Sequence, residues 1–204
     1  MPSARYRELS RRVTELRTHL LPREFEPTGF YAPRIYERTR AFRVLTHAEF
    51  ESFIEDRAIE VANAAFKRWK ANGVMSTCLL ALVTHAETSH PIPGSIADLN
   101  HKKKFPDLST RVEHAKNDLN RYVRTQNHGI KEKNLLRILM SVGVQEGEID
   151  STWVGVTDAW ATSRGEAAHK GAKMQVRPDP QHELKTVRQI REGFRAVDAV
   201  MSRL

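Results

Sequence analysis

The chain is expected to fold as an all-α bundle with a long central helix and a C-terminal closing helix. Three observations carry that expectation. Apolar residues recur at three- and four-residue steps along most of the 204 residues. Proline, glycine and Asn-Gly punctuate those runs where helices would stop. No stretch alternates apolar and polar residues as a half-buried strand would, and no internal repeat is present. At this length one domain, residues 1–204, can enclose a real core.

Tyr6, Leu9, Val13, Leu16 and Leu20 mark an amphipathic first helix, ended at Leu21-Pro22. Residues 22–35 contain Pro22, Pro27, Gly29 and Pro33 and read as a connector, so 1–34 form an N-terminal helix and linker. A long helix follows from about Ile35 to Lys70, stopped by Asn72-Gly73. Its apolar residues (Ala41, Phe42, Val44, Leu45, Ala48, Phe50, Phe53, Ile54) cover nearly the whole circumference, which predicts a place in the core. Arg40, Arg43, His47 and Glu51 nevertheless share one narrow sector. Unpaired buried charge is costly, so that stripe faces water, a partner or a site. The plainer reading is that His47 and Glu51 pair across one turn.

Val74 to His85 predicts a short, strongly apolar, buried helix. Residues 86–107, with Pro91, Pro93, Gly94, Pro106 and a lysine run, predict an exposed loop long enough to be functional. Val112, Ala115, Leu119, Tyr122 and Val123 mark the next helix, ending at His128-Gly129. Leu135, Leu136, Ile138, Leu139 and Val142 mark a shorter one closed by Gly143. Asp150 or Ser151 can cap a helix running through Trp153 and Trp160, both expected in the core. Asp179 and Pro180 suit the cap and first position of the last helix. Its stripe is Leu184, Val187, Ile190, Phe194, Val197 and Met201.

Lys plus Arg number 33 against 25 Asp plus Glu, a formal net charge of +8, which points to a polyanion such as nucleic acid. The single cysteine, Cys78, has no internal disulfide partner and sits in an apolar run. The arginine-rich stretch from Met1 to Leu20 lacks the continuous apolar core of a signal peptide. No segment approaches the ~20 apolar residues of a membrane span. A cytoplasmic protein, with no membrane partner, is expected.

The most informative feature is Arg164-Gly165-Glu166-Ala167-Ala168-His169. Arginine is permanently charged and grips phosphate in a fork, and histidine can give or take a proton near neutral pH. A cation plus a proton shuttle is the minimum kit for breaking a phosphodiester without metal. His85 and His90 stand five apart with Glu87 between them, but no cysteine or aspartate cluster supports a metal site, and none is expected. No glycine-rich phosphate loop or nucleophile elbow is present.

The hexapeptide resembles the Arg-x4-6-His motif of HEPN-domain ribonucleases and falls where that family carries it, just before a closing helix. Two further stretches resemble the RNA-repair-associated (RiboL-PSP-type) branch: Arg43-Val44-Leu45-Thr46-His47-Ala48-Glu49-Phe50-Glu51 and Asn127-His128-Gly129-Ile130-Lys131-Glu132-Lys133-Asn134-Leu135. The resemblance spans roughly residues 35–204. Many HEPN members carry Asn directly after the arginine, whereas this chain has Gly165.

The resemblance implies a HEPN-like helical bundle and metal-independent endoribonuclease activity, with no cofactor. The 2′-hydroxyl attacks the adjacent phosphorus and leaves a cyclic phosphate. Arg164 would steady the charged phosphorane and His169 would transfer protons. One motif supplies a single imidazole, so a homodimer bringing two motifs together is implied. His47 and Glu51 are candidates to support the site, Glu51 by orienting Arg164 or His169. Lys170, Arg43, Lys102, Lys103 and Lys104 are candidates to hold the RNA, single-stranded or tRNA. Such proteins commonly act as toxins or in phage defence, so an antitoxin or regulatory protein is a further expected partner. The alternative is a non-catalytic HEPN module that binds RNA, a nucleotide or a protein.

Overall fold

A computed structural model describes residues 1–86, 90–169 and 177–204, with the backbone alone for 164–169. Among these residues there are seven α-helices and no strand. They are α1 (Ala4–Leu20), α2 (Pro33–Asn72), α3 (Thr77–His85), α4 (Leu108–Thr125), α5 (Glu132–Ser141), α6 (Ser151–His169) and α7 (Pro180–Met201). No helix among them is long and apolar enough to cross a membrane.

The all-α expectation holds, and local chemistry explains the helix limits. Ser3, Ser76, Asp107 and Asp179 each accept a backbone N–H from the first turn of α1, α3, α4 and α7. Asp150 does the same for α6, accepting from the amides of Thr152 and Trp153 at 2.8 and 3.2 Å. α4 stops at Thr125, three residues before the expected His128-Gly129, because the amides of both Gln126 and Asn127 turn back to the Tyr122 carbonyl.

α2 is the axis of the bundle: its 40 residues touch all six other helices. Phe50 and Phe53 of α2 meet Phe194 of α7, and Trp153 of α6 packs edge-on to the same ring at 5.1 Å. α7 also closes on the N-terminal region. Asp198, buried, accepts from the Ser3 amide at 2.7 Å and from Arg57 Nε at 2.9 Å.

Two expectations of burial are corrected. α2 is not covered all round: Val44 and Leu45 are 37% and 44% exposed, and Ala48 is exposed with them. Hydrophobic periodicity marks which residues are apolar, not whether a neighbour exists to cover them. Likewise the apolar run from Val74 forms a helix only from Thr77, and it buries one face, Cys78, Leu79 and Leu82. Met75 and Leu80 remain more than half exposed. Within the stretch 86–107, the described residues are mostly exposed and include a short 3-10 turn, Ala97–Asn100, but Phe105 and Pro106 are buried.

Candidate functional site

Two residues of the polar sector of α2, Arg43 and His47, face α6 and α7 rather than open solvent. Arg43 Nε donates to Glu183 Oε1 at 2.9 Å, and Arg43 Nη2 makes a second, shorter bond to Glu183 Oε2. Arg43 Nη1 donates to Ser163 Oγ at 3.2 Å, and that hydroxyl donates to the Trp160 carbonyl at 2.8 Å. The Trp160 indole N–H reaches Glu183 Oε1 at 2.6 Å. Glu183, 1% exposed, thus accepts three bonds where α2, α6 and α7 meet. Such a bidentate, charge-assisted contact is among the stronger kinds of hydrogen bond. Removing one member of a buried ion pair costs about 3–5 kcal/mol, because the other charge is stranded.

One turn further along α2, His47 is 2% exposed and stacks on Trp160, with ring centroids 5.8 Å apart and planes at 25°. Its Nδ1 lies 3.7 Å from Glu51 Oε2, close enough for an ion pair when the imidazole is protonated. Its opposite edge meets Gly129: a Cβ there would stand 3.6 Å from His47 Cε1 and 3.7 Å from Nε2. Gly129 has φ +121, a conformation that L side chains rarely adopt.

The loop carrying Gly129 is pinned by amides. Asn127 Nδ2 donates to Glu55 Oε1 at 2.6 Å and to the Gly129 carbonyl at 3.2 Å, and Asn134 Nδ2 donates to the same carbonyl at 3.2 Å. Burial pushes the Glu55 carboxyl above its usual range; the Asn127 bond acts against that shift, and the nearby Glu51 charge adds to it.

Two of the three stretches singled out in the sequence therefore lie side by side, at His47 and Gly129. The first also touches α6 at Trp160 and Ser163, the residue just before Arg164. The α6 backbone is helical through His169. The side chains of Arg164 and His169, and all of Lys170, lie outside the described residues. Arg43, expected to hold RNA, has its guanidinium on Glu183 and Ser163. Lys102, Lys103 and Lys104 are exposed near the start of α4. Lys104 Nζ sits 5.2 Å from the centre of the Phe105 ring. The Asp107 carboxyl is held below its usual range first by the Thr110 amide, and Lys102 contributes to that shift.

Glu183 is the residue sequence reasoning missed. The signal was there: it precedes Val187 by four residues and Ile190 by seven, so a carboxylate stands in phase with the apolar stripe of α7, as Asp198 does further along.

Chemically, the wall formed by α2, α6 and α7 offers a neutralised guanidinium and an imidazole backed by a carboxylate. Both are too enclosed to be a macromolecule's first contact, and both are suited to fixing the helix that carries Arg164 and His169. The family model described as RiboL-PSP-HEPN matches residues 7–204. No curated protein and no solved structure matches the chain.

Proposed function

The chain belongs to the RiboL-PSP-HEPN family, and from that premise we propose that it is a metal-independent endoribonuclease whose reacting groups are Arg164 and His169. HEPN domains are in general nuclease-like and RNA-directed. The observation that best supports activity in this chain is the meeting of its family-like stretches: residues 43–51 lie beside Gly129 and contact the α6 turn ending at Ser163.

In the proposed reaction the 2′-oxygen attacks phosphorus as a base removes its proton. The bond from phosphorus to the 5′-oxygen breaks, and an acid protonates the leaving oxygen. The products are a 2′,3′-cyclic phosphate and a 5′-hydroxyl. Arg164 stabilises the charge that builds on the phosphorane, and His169 transfers a proton. The second proton-transfer group comes from another copy of the chain in a homodimer. The exposed Val44, Leu45 and Ala48 of α2 offer apolar surface that a second copy can cover. Lys170 and Lys102 to Lys104 hold the RNA backbone, while His47 and Glu51 support the helix bearing the motif. The protein works in the cytoplasm as a toxin or phage-defence effector restrained by a protein partner.

The deciding experiment incubates wild type and His169→Ala with tRNA and single-stranded RNA in excess chelator, with analysis of product ends and sedimentation of the enzyme. Cyclic phosphate ends from a wild-type dimer, absent with the variant, are expected. Equal cleavage by both proteins removes His169 from the mechanism. RNA binding without cleavage by wild type returns the non-catalytic alternative. Activity from a monomer removes the shared site.

A further inference from the structure

α6 ends on the motif, at His169, and α7 begins at Pro180. In sequence, Ser163 and Glu183 bracket residues 164–182, which contain both Arg164 and His169. The two flanks of that stretch are tied to each other and to α2 by one cluster of bonds. Glu183 at the α7 end accepts from the Trp160 indole at 2.6 Å, and Arg43 joins Glu183 Oε1 at 2.9 Å to Ser163 Oγ at 3.2 Å. Trp160 and Ser163 lie one turn and one residue before Arg164. All four side chains are at most partly exposed, and Glu183 is 1% exposed.

We infer that Glu183, acting through Arg43, Trp160 and Ser163, is a positioning residue that fixes the end of α6 against the start of α7 and so sets where Arg164 and His169 stand. The inference rests on the ribonuclease reading of that motif. Glu183 touches neither RNA nor the reacting atoms in this account. Its charge is spent on Arg43, and the pair fixes both the rotation of the end of α6 and the start of α7. A carboxylate is required because a neutral side chain cannot neutralise Arg43 while also accepting the indole N–H. It is also why Arg43 is unsuited to phosphate: its fork is filled. A misplacement of about 1 Å at reacting groups lowers rate on the order of 10²-fold with little change in binding, and that separates positioning from RNA contact.

The test compares wild type with Glu183→Gln and Ser163→Ala. Glu183→Gln keeps the shape and removes the charge. Ser163→Ala removes one partner of Arg43 at a helical position that tolerates alanine, and it serves if the first variant does not fold. For each, kcat and KM for single-stranded RNA are measured below Tm, with amide exchange over residues 160–169 and 180–184. The expected result is a kcat about 10²-fold lower for Glu183→Gln, a smaller fall for Ser163→Ala, nearly unchanged KM, and faster exchange in both segments. Wild-type kcat and exchange in a folded Glu183→Gln protein, or in Ser163→Ala if the first does not fold, overturns the inference, as does a rise in KM alone. A wild type that does not cleave RNA overturns the ribonuclease reading instead, and the exchange comparison tells the two failures apart.

Discussion

The indole of Trp153 occupies the space that a side chain at Gly193 would need. A Cβ at 193 would stand 2.0 Å from Trp153 Cδ1 and 2.2 Å from Nε1. The indole cannot retreat readily, because its N–H is bonded to the Ile190 carbonyl at 3.0 Å and it packs at right angles to the Phe194 ring. Gly193→Ala is therefore expected to destabilise the fold by about 3 kcal/mol or more, the upper range for overpacking. That corresponds to a Tm lower by about 6–12 °C for a chain of this size. Adding Trp153→Leu should recover part of the loss in thermal melts. A Gly193→Ala protein that melts like wild type would contradict this packing.

Gly129 poses the reverse case. The space beside it is adequate, since the nearest atom to a Cβ is His47 Cε1 at 3.6 Å, but its φ of +121 is unfavourable for alanine. Gly129→Ala should cost about 1–3 kcal/mol through backbone strain alone. Denaturant melts should show a lower midpoint with the same m-value, because the compactness of the two states is unchanged.

Glu55 gives a pH signature. Its carboxyl is raised, first by burial, against the pull of Asn127 and with help from Glu51. The folded protein thus holds this proton more tightly than the unfolded chain. A charged Glu55 costs stability at neutral pH, and the cost is relieved as pH falls through the folded-state pKa toward the unfolded one. Glu55→Gln should raise stability at pH 7 by on the order of a few tenths of a kcal/mol, given partial exposure. The difference should vanish below about pH 4, which melts at several pH values can check.

The Cys78 thiol is fully buried and pushed up to about 11 by that burial. Only the thiolate is a strong nucleophile. A disulfide reagent at pH 8 should leave the native protein unlabelled and modify one thiol per chain in guanidinium. Rapid native labelling would mean that α3 does not pack as described.

At the proposed site, Arg164→Ala should lower the single-turnover cleavage rate by about 10²–10³-fold, the typical effect of losing one donor to a developing charge. Arg164→Lys should fall between, since lysine keeps the charge and loses the fork. A lysine variant with the wild-type rate would argue against bidentate contact.

Helix existence was legible in the sequence because caps and periodicity agree. Asp179-Pro180 starts α7 where expected, and Gly73, at φ 70, ends α2. The errors of burial have one cause. Periodicity assigns a face its polarity, but not the neighbour that covers it. Val44 and Leu45 looked like core and are exposed, while the stripe of Arg43 and His47, which spacing left to face water, a partner or a site, meets α6 and α7. For the site, the sector holding Arg43, His47 and Glu51 was visible from spacing. Glu183, 140 residues from its partner Arg43, could be noticed only as a carboxylate out of keeping with its stripe.

The bonds from Asp198 to Ser3 and Arg57 have a consequence in time. A chain leaves the ribosome from its N-terminus, so α1 and α2 emerge long before the helix that locks them. Until α7 has emerged, Arg43 has no Glu183 and Phe50 has no Phe194. Contacts this distant in sequence form late and slowly. The scaffold beneath the motif is thus completed only after α7 has followed the other six helices out.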